Sequence, residues 1–246
     1  MSELWLGIDG ALGAFTAALL SSDERVPPRV AATTGNDALE RGLAIVDEAL
    51  AGVPFAALAG IAVGTGPGGF TGLRIALSYA KSLAFAAKLP LAGISSYDAV
   101  SPPKIDCTHA AFVHGRAGIA CVRLRVRLMP GGGAGWRERI VCGPYAAIAE
   151  ALGEELPRGF ELRCFGAAEG AAPALGERGI TVLAVASQTL SPALAIARRA
   201  LAANAAGGAQ APFAGSPHAL GADYGEAHYA ERSVAHERST VSETTP

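Results

Sequence analysis

The stretch that most restricts this chain is Ile61–Leu73, Ile-Ala-Val-Gly-Thr-Gly-Pro-Gly-Gly-Phe-Thr-Gly-Leu, with Arg74 directly after it. A short apolar run, Leu58–Val63, leads in; five glycines fall between Gly64 and Gly72; an apolar-periodic segment, Phe70–Lys88, follows. This order predicts a strand, a glycine-rich turn and a helix. Such a turn lets backbone approach where a side chain would clash. It also leaves N–H groups at a helix start, which suit an anion. The spelling Gly64-x-Gly66-x-x-Gly69 matches a dinucleotide fingerprint, but the acid required about 20 residues on is misplaced. The next strand is expected at Pro90–Ile94, and the first acid, Asp98, lies past its end. No Gly-Lys-Ser/Thr follows to make a P-loop. Taken alone, the stretch reads as a tight turn before a core helix.

Upstream, Leu4–Asp9, Ala14–Leu20 and Arg29–Thr33 are closely spaced strand candidates and predict an antiparallel meander. Asn36 or Asp37 is positioned to cap a helix with Leu39, Leu43, Val46 and Leu50 on one stripe. Three hairpin-joined strands followed by helix crossovers predict a mixed five-stranded sheet with helices packed on it. That order is the signature of the actin-like, ribonuclease H-like architecture, with two lobes each holding a mixed sheet flanked by helices. The expected divisions are residues 1–101 for the first lobe, 102–220 for a second, degenerate lobe, and 221–246 for a polar, disordered tail. Within the second lobe, strands are expected over Ala110–His114, Ile119–Leu128, Trp136–Cys142, Leu162–Phe165 and Ile180–Val185. Helices are expected over Tyr145–Leu152 and Ser191–Ala206, and Met129–Gly135, with four glycines and a proline, reads as a mobile hairpin tip.

Composition narrows the function. Across 246 residues, half are hydrophobic and 17% are charged, so the chain buries a sizeable core. A net charge of −2 excludes a protein that holds nucleic acid by bulk charge alone. The four cysteines, Cys107, Cys121, Cys142 and Cys164, form no CxxC and read as buried reduced thiols. No signal peptide or membrane span is read, and a cytoplasmic location is expected.

The run Gly60–Ile75, continuing through Lys81, resembles the TsaB (YeaZ) family, whose members read Gly-x-Gly-Pro-Gly-Ser-Phe-Thr-Gly-hydrophobic-Arg-Ile here. Ile8-Asp9 and Leu91–Tyr97 are similar to two further family segments. The resemblance covers residues 1–101 well and fades beyond. It implies the actin-like ATPase (ASKHA) fold and a non-catalytic subunit in the synthesis of threonylcarbamoyladenosine beside the anticodon of tRNA. It implies a TsaD-type catalytic partner, a TsaE-type ATPase, indirect contact with tRNA through the complex, and homodimers when alone. No cofactor is expected for the chain itself, with ATP or ADP at the complex interface left open.

On that resemblance, the residues expected at a weak, degenerate nucleotide cleft are Asp9, Gly66, Gly68 and Gly69. Gly10 replaces the hydroxyl residue common after that aspartate. Partner-facing residues are expected at Leu39 and Leu43 on the first helix and at Arg74, Leu77 and Lys81 on the second. Arg74, Lys81 and Lys88 recur every seven residues and share a side; a solvated face is the plainer reading. The HxxxH helix of the catalytic relatives is missing: His109 and His114 are five apart on a strand and fall on opposite faces. No catalytic or metal residue is therefore assigned. The alternative reading is a stand-alone actin-like phosphotransferase or ATPase, resting on Asp9 and the glycine loop.

Overall fold

The computed structural model describes residues 2–33, 38–115, 118–128, 135–184, 191–207 and 216–225. The expected cap at Asn36 or Asp37, the hairpin tip 129–134 and residues 226–246, with His228 and His236, lie outside them, as does the side chain of Leu39.

The first sheet is built from β1 (Leu4–Asp9), β2 (Thr16–Ser21), β3 (Arg29–Ala32), β4 (Gly60–Gly64) and β5 (Leu91–Ile94), in the order β3-β2-β1-β4-β5. The meander β1–β3 is antiparallel, and β1, β4 and β5 run parallel. The two parallel connections carry α1 (Ala38–Leu50) and α2 (Phe70–Ala87). Along β1, Leu6 and Ile8 enter the core beneath α1 and α2, and Trp5 enters the opposite face. Gly60 leaves room for the indole of Trp5, and the ring fills the space a side chain there would take.

α1 differs from expectation in its buried arc. Ile45, Val46, Ala49 and Leu50 are buried with Gly42, whereas Leu43 is 54% exposed. At 100° per residue, Leu43 falls just past the edge of that arc. Gly42 packs against the ring of Tyr79 on α2, so this glycine, expected only to weaken the helix, sets the approach of the two helices. In α2, Leu73, Leu77, Ala80 and Ala84 are buried as their spacing predicts, and Lys88 ends the helix in a left-handed cap.

The second sheet has β6 (His109–His114), β7 (Ile119–Arg127), β8 (Trp136–Pro144), β9 (Glu161–Gly166) and β10 (Thr181–Ala184), in the order β10-β9-β6-β7-β8. Its core face is covered by α4 (Tyr145–Glu155) and α5 (Ala172–Glu177). Part of the other face is covered by α3 (Ser96–Val100), whose Tyr97 meets Ala111, Val113 and Cys121. Two mixed sheets flanked by helices make the two-lobed actin-like, ribonuclease H-like fold that the strand order predicts.

Two further features depart from sequence expectation. α6 (Pro192–Ala206), placed by chain order in the second lobe, packs across β1, β2 and β4 of the first. Small residues allow this: Ala193, Ala197 and Ala200 are fully buried, and Gly7 lies against the Ala193 carbonyl. The second departure is at Cys121 and Cys142. They stand directly opposite on β7 and β8 and form a disulfide, in place of the reduced thiols expected there. Register brings them together, and a sequence separation of 21 does not announce it. Cys107 and Cys164 are free; burial pushes the Cys164 thiol up to about 12.

Candidate functional site: the glycine loop and the outer face of its helix

Asp9 closes β1 and is fully buried. Its Oδ2 accepts a hydrogen bond from the Leu12 N–H at 3.0 Å, and Oδ1 has no hydrogen-bond partner among the described residues. Burial raises the carboxyl from 3.8 to about 6, partly offset by the N–H groups of Leu12 and Ala11. Gly64 lies beside Oδ1, where any side chain would collide with it.

The glycine loop that follows β4 is held by backbone on every side. Gly69 N–H donates to Ala11 O at 2.7 Å, and Ser96 N–H donates to Gly66 O at 2.7 Å. Asp223 N–H donates to Thr65 O at 2.7 Å. Gly66 has φ +96°, and a Cβ there would strike the Asp223 carbonyl. Gly68 has φ +152°, and a Cβ there would strike the Ala11 carbonyl. Gly10 and Gly72 touch each other's backbone in the same way, so the β1–β2 turn and the start of α2 interlock. Gly10 is therefore a packing position here, which accounts for the missing hydroxyl.

Asp9, Gly66, Gly68 and Gly69 thus gather at one end of the first sheet. What presses on Gly66 and Gly68 is this chain's own backbone. A cavity of about 400 Å³ opens beside Gly69 between the lobes, lined by Leu12, Val100, Phe112, His114 and Pro192 among others, with no lysine or arginine. Asp9 is buried away from it. Among the described residues, no three His, Cys, Asp or Glu side chains are grouped to hold a metal ion. His109 is buried and His114 exposed, on opposite faces of β6 as alternation requires.

The residues expected to face a partner divide. Leu43 and Arg74 are exposed and Lys81 is half-buried, but Leu77 is 5% exposed and belongs to the first lobe's core. Leu77 shares its stripe with Leu73 and Ala80, and that stripe faces the sheet. The most exposed large apolar residue of α2, which the sequence reading does not single out, is Phe85, 65% exposed. Arg74 stacks its guanidinium over Phe70 at 5.2 Å. The segment 216–225, which the sequence reading divides between the second lobe (to 220) and the tail (from 221), runs along this helix: His218 meets Phe85 and Tyr224 meets Phe70, with ring centres 5.5 and 5.0 Å apart. Its polar composition gave no sign of that contact.

Comparison with known proteins narrows the identity. A family model described as TsaD, tRNA N6-adenosine threonylcarbamoyltransferase, matches residues 26–107. The tRNA threonylcarbamoyladenosine biosynthesis protein TsaB of Haemophilus influenzae is 33% identical over 156 residues. That match covers 58% of this chain and 65% of the relative, so the chain spans just under two thirds of that protein's length. The structure of YeaZ from Pseudomonas aeruginosa superposes with a TM-score of 0.65 at 22% identity, covering 90% of this chain and 99% of that one. A second structure, described as an uncharacterized protein with similarity to peptidase YEAZ from Pseudomonas aeruginosa, gives 0.64 at 22% identity over 91% and 100% of the two chains. These two speak to the fold. With the Gly-Pro-Gly-Gly-Phe-Thr-Gly loop set between β4 and α2 of that shared fold, and a sequence match to a curated TsaB, the TsaB/YeaZ proteins are what this chain resembles.

Proposed function

We propose that this chain is a non-catalytic scaffold that pairs with a TsaD-type catalytic subunit, joined by a TsaE-type ATPase. Together they would carry out the threonylcarbamoylation of the adenosine beside the anticodon in tRNAs reading codons that begin with A. The names of its relatives support the pathway. The observation that carries the scaffold role is the outer layer of the first lobe. Leu43 and Phe85 are 54% and 65% exposed on α1 and α2, and Arg74 and Lys81 lie on the same helix as Phe85. Apolar side chains set among cations form the core and rim expected of a protein interface. In the absence of the partner the same face serves for self-association, and tRNA is reached through the complex.

The cleft supports the same reading. Asp9 is committed to the loop, and the cavity beside Gly69 has no cation for a phosphate. ATP or ADP at the shared interface would take its phosphate contacts from the partner's side. The unpartnered Oδ1 of Asp9 favours the phosphotransferase alternative, yet its burial keeps it from a ligand. Calorimetry of the isolated chain with ATP and magnesium is expected to give Asp9→Asn the same heat as wild type, since the glycine loop takes no part in holding a nucleotide.

Co-elution with a purified TsaD-type subunit tests the pairing. Wild type is expected to co-elute, whereas Leu43→Glu and Phe85→Glu run apart from the partner with unchanged thermal unfolding. Both variants co-eluting like wild type would overturn the placement of the interface.

A further inference from the structure

On the face of the second sheet away from its main core, α3 covers only part. β7 alternates strictly: Ala120, Val122 and Leu124 enter the core, so Arg123, Arg125 and Arg127 all point to the opposite side. Register extends this basic strip across the sheet, with Arg163, His109, Arg125 and Glu138 side by side on β9, β6, β7 and β8. Over it lies a cavity of about 610 Å³, walled by residues 101–106 between the lobes and by Arg199 of α6.

The cavity concentrates positive charge on a chain whose net charge is −2. Lys104, Arg123, Arg125 and Arg199 line it, against two carboxylates, Asp98 and Asp106. Arg123 is buried, paired with Asp98 and set over the ring of Tyr97. Arg199 donates to the carbonyls of Asp98, Ser101 and Pro102 at 2.8–3.1 Å, contacts that hold its position; among the described residues no carboxylate bonds it. Arg127 bonds the Asp106 carbonyl and fixes the wall. Burial and the neighbouring Arg125 and Arg123 hold His109 below its usual range, consistent with a positive field. Arg125 is 40% exposed, gives its Nε to Glu138 at 2.8 Å and lines the cavity.

At the rim stands Trp136, 43% exposed and edge-on to His109 at 5.7 Å. His109 donates its Nδ1–H to Cys107 O at 2.8 Å, which leaves Nε2 as an acceptor. Fixed arginines, a lysine, an imidazole acceptor and an exposed indole on a sheet face are the elements that bind a phosphate and stack a base.

We infer that this cavity is a binding site for a phosphorylated nucleoside, supplied either as a free nucleotide or as one residue of a single-stranded RNA. The phosphate sits on Arg125 and Lys104 within the field of Arg199, and the base stacks on Trp136. The inference does not rest on the scaffold reading, because the site lies where the second sheet meets the inter-lobe segment and α6, and no residue of α1 or α2 lines it.

The test uses the full chain at low salt. Trp5 is fully buried, so quenching of intrinsic fluorescence reports Trp136. AMP and a short oligouridylate are titrated separately, and a labelled oligouridylate is followed by anisotropy. Quenching by AMP identifies a free nucleotide as the source; quenching by the strand alone identifies RNA. Trp136→Ala is expected to weaken binding about tenfold, as loss of one stacked base does. Arg125→Gln and Lys104→Glu weaken it and flatten its salt dependence. Arg178→Glu, an exposed cation on the far side of the lobe, leaves it unchanged. Three results would overturn the site: no quenching by either probe, wild-type binding by Arg125→Gln, or displacement by polyglutamate as readily as by RNA.

Discussion

Asp9 and the loop glycines show how single residues carry the site. Asp9 holds its proton more tightly folded than unfolded, at about 6 against 3.8. Its contribution therefore favours folding at low pH and is lost as pH rises through that window. Above it, the buried carboxylate costs about 3 kcal/mol relative to an unshifted one. Asp9→Asn is predicted to remove that part of the stability slope between pH 4 and 6 in urea titrations; a slope equal to wild type would contradict it. Gly68→Ala is predicted to cost roughly 1–3 kcal/mol, since a methyl group would meet the Ala11 backbone from a positive-φ position. A midpoint of chemical unfolding within error of wild type would count against this. The sequence marks both positions as special. It does not show what presses on them, because Asp223 and Ala11 reach the loop from distant parts of the chain.

Elements were legible where periodicity was clean. The spacing of Leu73, Leu77, Ala80 and Ala84 predicts α2 and its buried side, and the structure agrees. Whether a buried stripe meets the chain's own sheet or another protein is not written in periodicity, which is why Leu77 reads as an interface residue until the sheet is seen beneath it. Leu77→Ala is predicted to destabilise the fold by about 2–5 kcal/mol. Phe85→Glu should stay within about 0.5 kcal/mol of wild type and act on pairing alone. Differential scanning calorimetry separates the two, and equal losses would contradict the assignment. The β7–β8 pair illustrates the same limit: cysteines 21 residues apart become neighbours only once the register is known. Closing that loop is predicted to contribute roughly 3 kcal/mol. Unfolding with and without a reductant, against a Cys121→Ser/Cys142→Ser double variant, measures it.

At the scale of the whole molecule, strand order and the glycine loop together led from sequence to the two-lobed fold. The assembly of the lobes was less legible. α6 leaves the second lobe in the chain and covers the first in space, and Arg199 on it ties the two through the carbonyls of Ser101 and Pro102. An alanine-rich helix gives no sign of which sheet it will join, because small residues fit many surfaces. The segment 216–225 likewise returns to the glycine loop and to α2. The result is a first lobe braced from behind, with α1 and α2 outward, as a docking subunit requires. The most direct test of that account is reconstitution of tRNA modification from a TsaD-type subunit, a TsaE-type ATPase, tRNA and the threonylcarbamoyl-adenylate source, with and without this chain, reading the modified adenosine by mass spectrometry. The account predicts product only when the chain is present, and its loss with Phe85→Glu; equal product without the chain would contradict it.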